Sequence, residues 1–389
     1  MKLAVRLIIY SIFFVALNLQ AQQPEEKKKP KTTLTIGGFA KLDFMTTVFE
    51  GGEPADPESP IRDIHIAGAI PIGGEQSFDT HMHIKESRFN LALNSELLGK
   101  PVMAFFEMDM LLSAAGDARV SNSYNPRIRH FYFNYGDWLF GQTWSTFMIV
   151  IIPDDLDFSG AAEGIVFNRQ PQVRYTAGKW QFSLEVPEST ITPNGGGAFI
   201  SSSGGIPDAV VRRNFKGDWG NAGLSVIARN PRYYDVNGDR HGVFGYGVTG
   251  GALIKVGAKD DVRLQATYGN GLGRYLALAY LNSSVINNEG ELETISSVNG
   301  FISYLHYWSD KWRSSVNYSV LEAFNPEFTG EAANQKAWSA SANIICAPVP
   351  QLLFGLEGMY GYRGLESGEG DGFYRLQFSA KYTFKYQSK

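Results

Sequence analysis

The chain has 389 residues, a formal net charge of −4, one cysteine, and 13% aromatic against only 19% charged residues. The charge excludes a generally basic nucleic-acid binder. Cys346 alone excludes an intramolecular disulfide. Beyond the N-terminus no stretch approaches the ~18 consecutive apolar residues of a membrane helix.

Residues 1–21 read as a signal peptide. Lys2 and Arg6 precede the apolar run Leu7 to Leu17, which is too short to cross a bilayer as a helix, and "LQA" offers a cleavage site after Ala21. No Cys follows the run, so it is not a lipoprotein signal. Removing Lys2 and Arg6 takes the net charge from −4 to −6. Export past the inner membrane of a Gram-negative cell leaves two fates, a soluble protein or an outer-membrane barrel. Residues 22–33, "QQPEEKKKPKTT", are charged and Pro-bearing, and predict a disordered periplasmic leader.

From residue 34 to 389 one pattern repeats, long alternating segments joined in turn by a tight turn and a longer polar loop. The strands fall at 34–49, 81–98, 101–113, 125–135, 137–147, 169–177, 179–188, 207–216, 219–231, 242–257, 261–270, 294–308, 311–323, 335–346, 351–363 and 371–386. Sixteen is an even number, as bacterial barrels require. The segment 274–283, "RYLALAYLNS", alternates too, but counting it gives an odd total, so it is placed in a loop. Short connections such as "GK", "GD", "AGK" and "SDK" suit two- or three-residue hairpins. The alternate connections, 50–80, 114–124, 148–168, 189–206, 232–241, 271–293, 324–334 and 364–370, are long. Short periplasmic turns opposite long loops are the mark of an outer-membrane β-barrel: all-β, transmembrane and antiparallel. Trp138, Trp180, Trp219, Trp308 and Trp312 all lie within about two residues of a short turn, where amphipathic rings collect at the edge of the hydrocarbon.

The last strand shows what the alternation is for. Tyr374, Leu376, Phe378, Ala380, Tyr382, Phe384 and Tyr386 share one parity; Arg375, Gln377, Ser379, Lys381, Thr383 and Lys385 share the other. The apolar face meets lipid and the polar face meets a wet lumen, since sixteen strands enclose more space than side chains fill.

The third long loop, Met148 to Asn168, mixes Ile149, Val150, Ile151, Ile152, Leu156 and Phe158 with Asp154, Asp155, Asp157 and Glu163. So much apolar surface predicts a loop folded into the barrel, with its carboxylates projecting into the lumen. Opposite them, parity aims Arg88, Arg174 and Arg212 inward. Arg127 and Arg129 share a parity with Phe131 and Phe133, so either a bulge intervenes or the aromatics line the lumen. A lipid-facing Arg near mid-membrane costs roughly 2–4 kcal/mol, which favours both arginines pointing inward. The expectation is an Arg ladder near mid-height on strands 2, 4, 6 and 8 facing acids on the loop, a field that favours anions.

"GQTWSTF" (Gly141 to Phe147), "LDFSG" (Leu156 to Gly160), "RQPQVRYT" (Arg169 to Thr176), "GNGLGRYL" (Gly269 to Leu276) and "HYWSDKWRSSVNYS" (His306 to Ser319) together resemble the DcaP-like outer-membrane porins over nearly the whole mature chain. The resemblance implies a homotrimeric, sixteen-stranded channel for small, mainly anionic solutes such as dicarboxylates. Members of that family often carry an N-terminal coiled-coil segment; residues 22–33 are too short and too Pro-bearing to supply one.

Other constellations are weaker. "DVNGDRHG" (Asp235 to Gly242) has Arg240 where a calcium loop needs Gly and Tyr246 where it needs Glu. His81 and His83 beside Asp79 make a possible metal pair, but loop-edge histidines are commoner. No catalytic residue, metal or cofactor is expected. The reading is a passive porin in contact with outer-membrane lipid and lipopolysaccharide. The alternatives are a phospholipase-like barrel enzyme, for which His130 and His306 lack an evident Ser and acid, and a structural or adhesive barrel.

Overall fold

The computed structural model describes residues 32–56, 58–112 and 121–388. The expected signal peptide and most of the expected leader lie outside them. Sixteen strands follow in order: β1 (Thr33–Phe49), β2 in two pieces (Ser77–His83 and Arg88–Leu97), β3 (Lys100–Asp109), β4 (Arg127–Tyr135), β5 (Trp138–Trp144), β6 (Arg169–Ala177), β7 (Trp180–Glu185) and β8 (Asp208–Gly217). The second half is β9 (Gly220–Arg229), β10 (Gly245–Val256), β11 (Asp260–Asn270), β12 (Ser296–Tyr307), β13 (Trp312–Phe324), β14 (Asn334–Val349), β15 (Leu352–Leu365) and β16 (Gly370–Gln387). Each pairs antiparallel with the next, and β16 returns to β1 in a continuous register from Thr35↔Gln387 to Phe49↔Phe373. Closure satisfies the edges that an open sheet would leave bare in lipid.

The alternation sorts as the sequence predicts. On β16, Tyr374, Leu376 and Phe378 are exposed outward while Arg375, Gln377 and Ser379 are buried within. The five tryptophans at the short turns are all exposed, from 42% at Trp180 to 66% at Trp308. They stack on outward neighbours, Trp138 on Tyr175 at 4.8 Å and Trp180 on Phe182 at 6.4 Å. A second aromatic group, Trp338 with Tyr360 at 5.0 Å and Tyr360 with Tyr374 at 4.7 Å, lies toward the loop end of β14–β16.

Two strands depart from simple alternation. β2 was expected to run unbroken, yet it turns at residues 84–87, where Ser87 N–H donates to Ile84 O at 2.9 Å. The turn lets the neighbours Lys85 and Glu86 both point inward, one to Asp63 and the other to Lys41. An unbroken strand sends neighbours to opposite faces. On β4 the register slips, with Glu107 opposite His130 but Met108 opposite Ile128. Arg129 is the extra residue. The bulge puts both Arg129 and His130 inside, with Ile128 and Phe131 outside.

The long loops gather at the other end from the tryptophans. Glu188–Thr192, Ile200–Ser203, Ser284–Ile286 and Leu292–Thr294 form a small sheet that roofs part of the mouth. The segment 274–283 is in a loop, as expected, and carries the 3-10 turn Gly273–Tyr275.

Candidate pore constriction

The third loop folds into the lumen. Ser145 N–H donates to Asn168 O at 2.9 Å and closes its neck. Phe147, Met148, Ile149, Ile151, Ile165 and Val166 are nearly fully buried. They pack on Val210, Ile227 and Phe301 of the wall and on Leu272, Tyr275 and Leu276 of the sixth loop. Two glycines make the seat flat. A Cβ on Gly164 would lie 2.4 Å from Gly300 O, and one on Gly355 would lie 2.7 Å from Leu156 Cδ1. Polar wall residues complete the docking: Asn343 Nδ2 donates to Asp154 O at 2.8 Å and Asn299 Nδ2 to Glu163 O at 2.9 Å.

The loop carboxylates differ from expectation. They bind the wall on which the loop lies, and do not project across open water toward β2–β8. Asp154 pairs with Arg313 of β13. Asp155 accepts from Asn317 of the same strand. Asp157 pairs with Arg375 of β16 at 3.3 Å and accepts from His65 N–H at 3.0 Å. Glu163 bonds His65, Ser319 and Ser339. The cause is the loop's apolar content. Burying that surface against β8, β9, β12 and β15 takes the intervening carboxylates to the adjoining β13–β16 wall, where Ser, Asn and Arg side chains bind them.

On the opposite wall the arginines form a stair. Arg88 lies over the rings of Phe39 and Phe158 at 5.1 and 5.6 Å, with its nearest acid, Glu86, 3.9 Å away. Arg129 also lies over Phe158, at 5.3 Å, and binds Glu107 at 2.7 Å and Asp109 at 2.8 Å. Arg127 binds Asp109 through two nitrogens at 2.9 Å. Arg212 donates to Met148 O at 2.8 Å at the loop's neck. Arg174 has no ion-pair partner among the described residues. These groups do not share one level. Arg129 is beside Trp144 at 5.9 Å, whereas Arg174 is opposite Leu139, five residues further along β5. At ~3.3 Å per residue that is about 16 Å.

Sequence reasoning passed over Arg169 and Arg274. Arg169 lies 4.7 Å from the Trp144 ring and 5.5 Å from Phe167. Its parity matches the lipid-facing Val173, so alternation assigns it outward; at the loop end of β6 that rule lapses because the chain is already turning into the third loop. The histidine pair is occupied: His81 reaches Asp63 Oδ1 at 3.0 Å and His83 reaches Asp63 O at 2.8 Å. Asp235 accepts the N–H groups of Asn237 and Asp239 at 2.9 and 2.8 Å, an ordinary turn.

A closed sixteen-stranded barrel with an aromatic belt, a polar lumen and an inward third loop is an outer-membrane channel of porin type. The family profile of the DcaP outer membrane protein matches residues 62–384, and the chain belongs to that family. Among solved structures it is similar to the outer membrane channel DcaP of Acinetobacter baumannii, at 24% identity and a TM-score of 0.74 over 94% of this chain and 100% of that one. It is also similar to an anion-selective porin from Comamonas acidovorans (12% identity, TM-score 0.53, 91% and 100% covered). The trimer form of OmpT from Vibrio cholerae aligns at 10% identity and a TM-score of 0.51, with 92% and 100% covered. No curated protein matches it by sequence.

Proposed function

We propose that the channel passes small hydrophilic anions by passive diffusion, selected where the arginines of β2 and β4 face Phe158 of the third loop. The observation that carries this reading is the placement of charge. Glu86, Asp155 and Asp157 line the cavity at Arg88, but each is engaged elsewhere, Glu86 by Lys41, Asp155 by Asn317 and Asp157 by Arg375. Glu107 and Asp109 neutralise part of Arg127 and Arg129; Arg88 has only Glu86, at 3.9 Å, and Arg174 has no ion-pair partner among the described residues. The Comamonas neighbour is itself described as anion-selective. Dicarboxylates suit the stair, because two anionic ends can engage successive arginines. The protein acts as a homotrimer in the outer membrane of a Gram-negative cell, reached through cleavage of the signal peptide 1–21.

A hydrolase reading has less support. His306 has an acid, Asp260, at 2.7 Å, and His130 bonds Thr143 at 3.0 Å, but among the described residues no serine hydroxyl hydrogen-bonds either ring.

Replacing Arg88, Arg129 and Arg174 together with Gln is expected to move the reversal potential in a salt gradient toward cations and to weaken block by a dicarboxylate. Wild-type selectivity in the triple variant would place selection elsewhere in the pore.

A further inference from the structure

Beneath the tip of the sixth loop, at the loop ends of β4–β6, lies an open cavity of about 350 Å³. Three arginines line it, Arg127, Arg169 and Arg274, and among the described residues no carboxylate does. Arg127 is committed to Asp109. The other two are not. Arg169 Nη1 and Arg274 Nη1 are both buried and have no hydrogen-bond acceptor, and neither guanidinium has an ion pair among the described residues. Burial pulls the Arg274 guanidinium below its ordinary pKa. Two desolvated cationic donors beside one cavity are unfavourable without an acceptor. The remaining lining mixes apolar Leu112, Ile128, Phe167, Leu278 and Ala279 with the amides of Gln142 and Asn168.

We infer that Arg169 and Arg274 form an oxyanion-capture site outside the constriction, for a carboxylate or phosphate group carried on a short apolar body. This rests on the anion-conducting reading above and adds a site to it. Guanidinium groups present paired N–H donors that match two oxygens of one oxyanion. A ligand head in the cavity that both side chains line would offer the guanidinium groups an acceptor. The volume falls in the range of small-molecule sites, ~300–1,000 Å³. Phe167 and Leu278 also line the smaller cavity of about 140 Å³ that holds Arg88 and Phe158. The site therefore adjoins the arginine stair, with those two side chains between them.

The test is planar-bilayer recording of the full mature channel, with butyrate, its neutral isostere butyramide, or inorganic phosphate added on the loop side. Butyrate is expected to block more strongly than phosphate, and butyramide to block little. In Arg169→Gln/Arg274→Gln the half-blocking butyrate concentration rises about tenfold or more, the scale of lost charge-assisted hydrogen bonds. Butyrate added from the short-turn side keeps its wild-type effect. Undiminished block in the double variant, or equal block by butyrate and butyramide, overturns the site. Stronger block by phosphate overturns the apolar half of the proposal. If the double variant does not refold, Arg274→Gln alone is read in the same way, because Arg274 is on a loop. A cation-preferring wild-type reversal potential defeats the anion-conducting reading instead, and is measured before any blocker is added.

Discussion

Arg375 shows how single residues hold the constriction. It is nearly fully buried, pairs with Asp157 at 3.3 Å, bonds Thr47 Oγ1 at 3.1 Å and reaches Ile61 O in the first loop. One side chain thus ties the first and third loops to β16. Removing one partner of a buried ion pair costs ~3–5 kcal/mol because the other charge remains uncompensated. Arg375→Gln is therefore expected to release the third loop. The single-channel conductance rises and becomes noisier, and the temperature at which the barrel loses its compact gel mobility falls. Unchanged conductance and an unchanged transition temperature would show that Arg375 is dispensable. In the sequence this residue reads only as one polar member of an alternating strand. Alternation reveals the face a side chain occupies; it is silent on which loop lands on that face. The bulge at Arg129 was half legible. Charged and aromatic residues on one parity conflict, and a bulge is the cheapest way to resolve such a conflict without placing Arg in lipid.

At the scale of elements, strand existence and order follow from period and turn chemistry, and all sixteen strands lie within a few residues of expectation. The third loop's inward fold was legible from its apolar content. The sixth loop was assigned as a loop only by the even strand count, since "LALAYL" reads equally as a strand, and its packing was not legible. Its conformation depends on a partner remote in sequence: Phe167 N–H donates to Tyr275 O at 2.9 Å, and Val166 bridges Leu276. Packed there, Ala277, Leu278 and Ala279 hold left-handed φ values of 46°, 58° and 66°. Such residues cost roughly 1–2 kcal/mol each, so local propensity argues against the turn that tertiary contact imposes. Within the third loop two carboxyls titrate in opposite senses. Burial, then the neighbouring Glu357 carboxylate, pushes Asp155 well above its ordinary 3.8. Burial works to raise Glu163 as well, but His65 and the hydroxyls of Ser319 and Ser339 outweigh it and hold Glu163 low. A raised folded pKa means that the Asp155 contribution is full below about pH 3.8 and is lost as pH rises through the folded value. The depressed Glu163 contributes above its ordinary value and loses that contribution as pH falls. Hydrogen exchange of the loop amides, corrected for intrinsic rates, is expected to show Asp155-dependent loosening as pH rises from 4 to 8, and Asp155→Asn removes that slope. A slope that survives the substitution would mean another group controls the docking.

For the whole molecule, a net negative chain and an anion-preferring pore are compatible because permeation samples the narrowest level. Unit charges about 4 Å apart interact by about 4 kcal/mol at an effective dielectric of 20 and about 1 kcal/mol in water. Acids on wide, wet loops are screened beyond about 8 Å. The same asymmetry of the wall bears on assembly. β14 to β16 have 16, 14 and 18 residues, whereas β5 has 7 and β7 has 6. A tilted strand needs ~9–11 residues to cross the hydrocarbon, so the β5–β7 wall is too low to face lipid over its full height. In the proposed homotrimer we expect that low wall to turn toward the three-fold axis, shielded by its neighbours, and the tall β14–β16 wall to meet the bilayer. Two measurements check this on a Cys346→Ser background. Native mass spectrometry in mild detergent is expected to give three mature chains, and a monomer would end the trimer proposal. A lipid-soluble maleimide is expected to label Leu356→Cys on β15 quickly and Val173→Cys on β6 slowly, although both side chains are exposed in the single chain, at 44% and 40%. Equal labelling in a confirmed trimer would show that the short strands do not face its axis. Their missing height would then have to be met by a thinner bilayer around β5–β7.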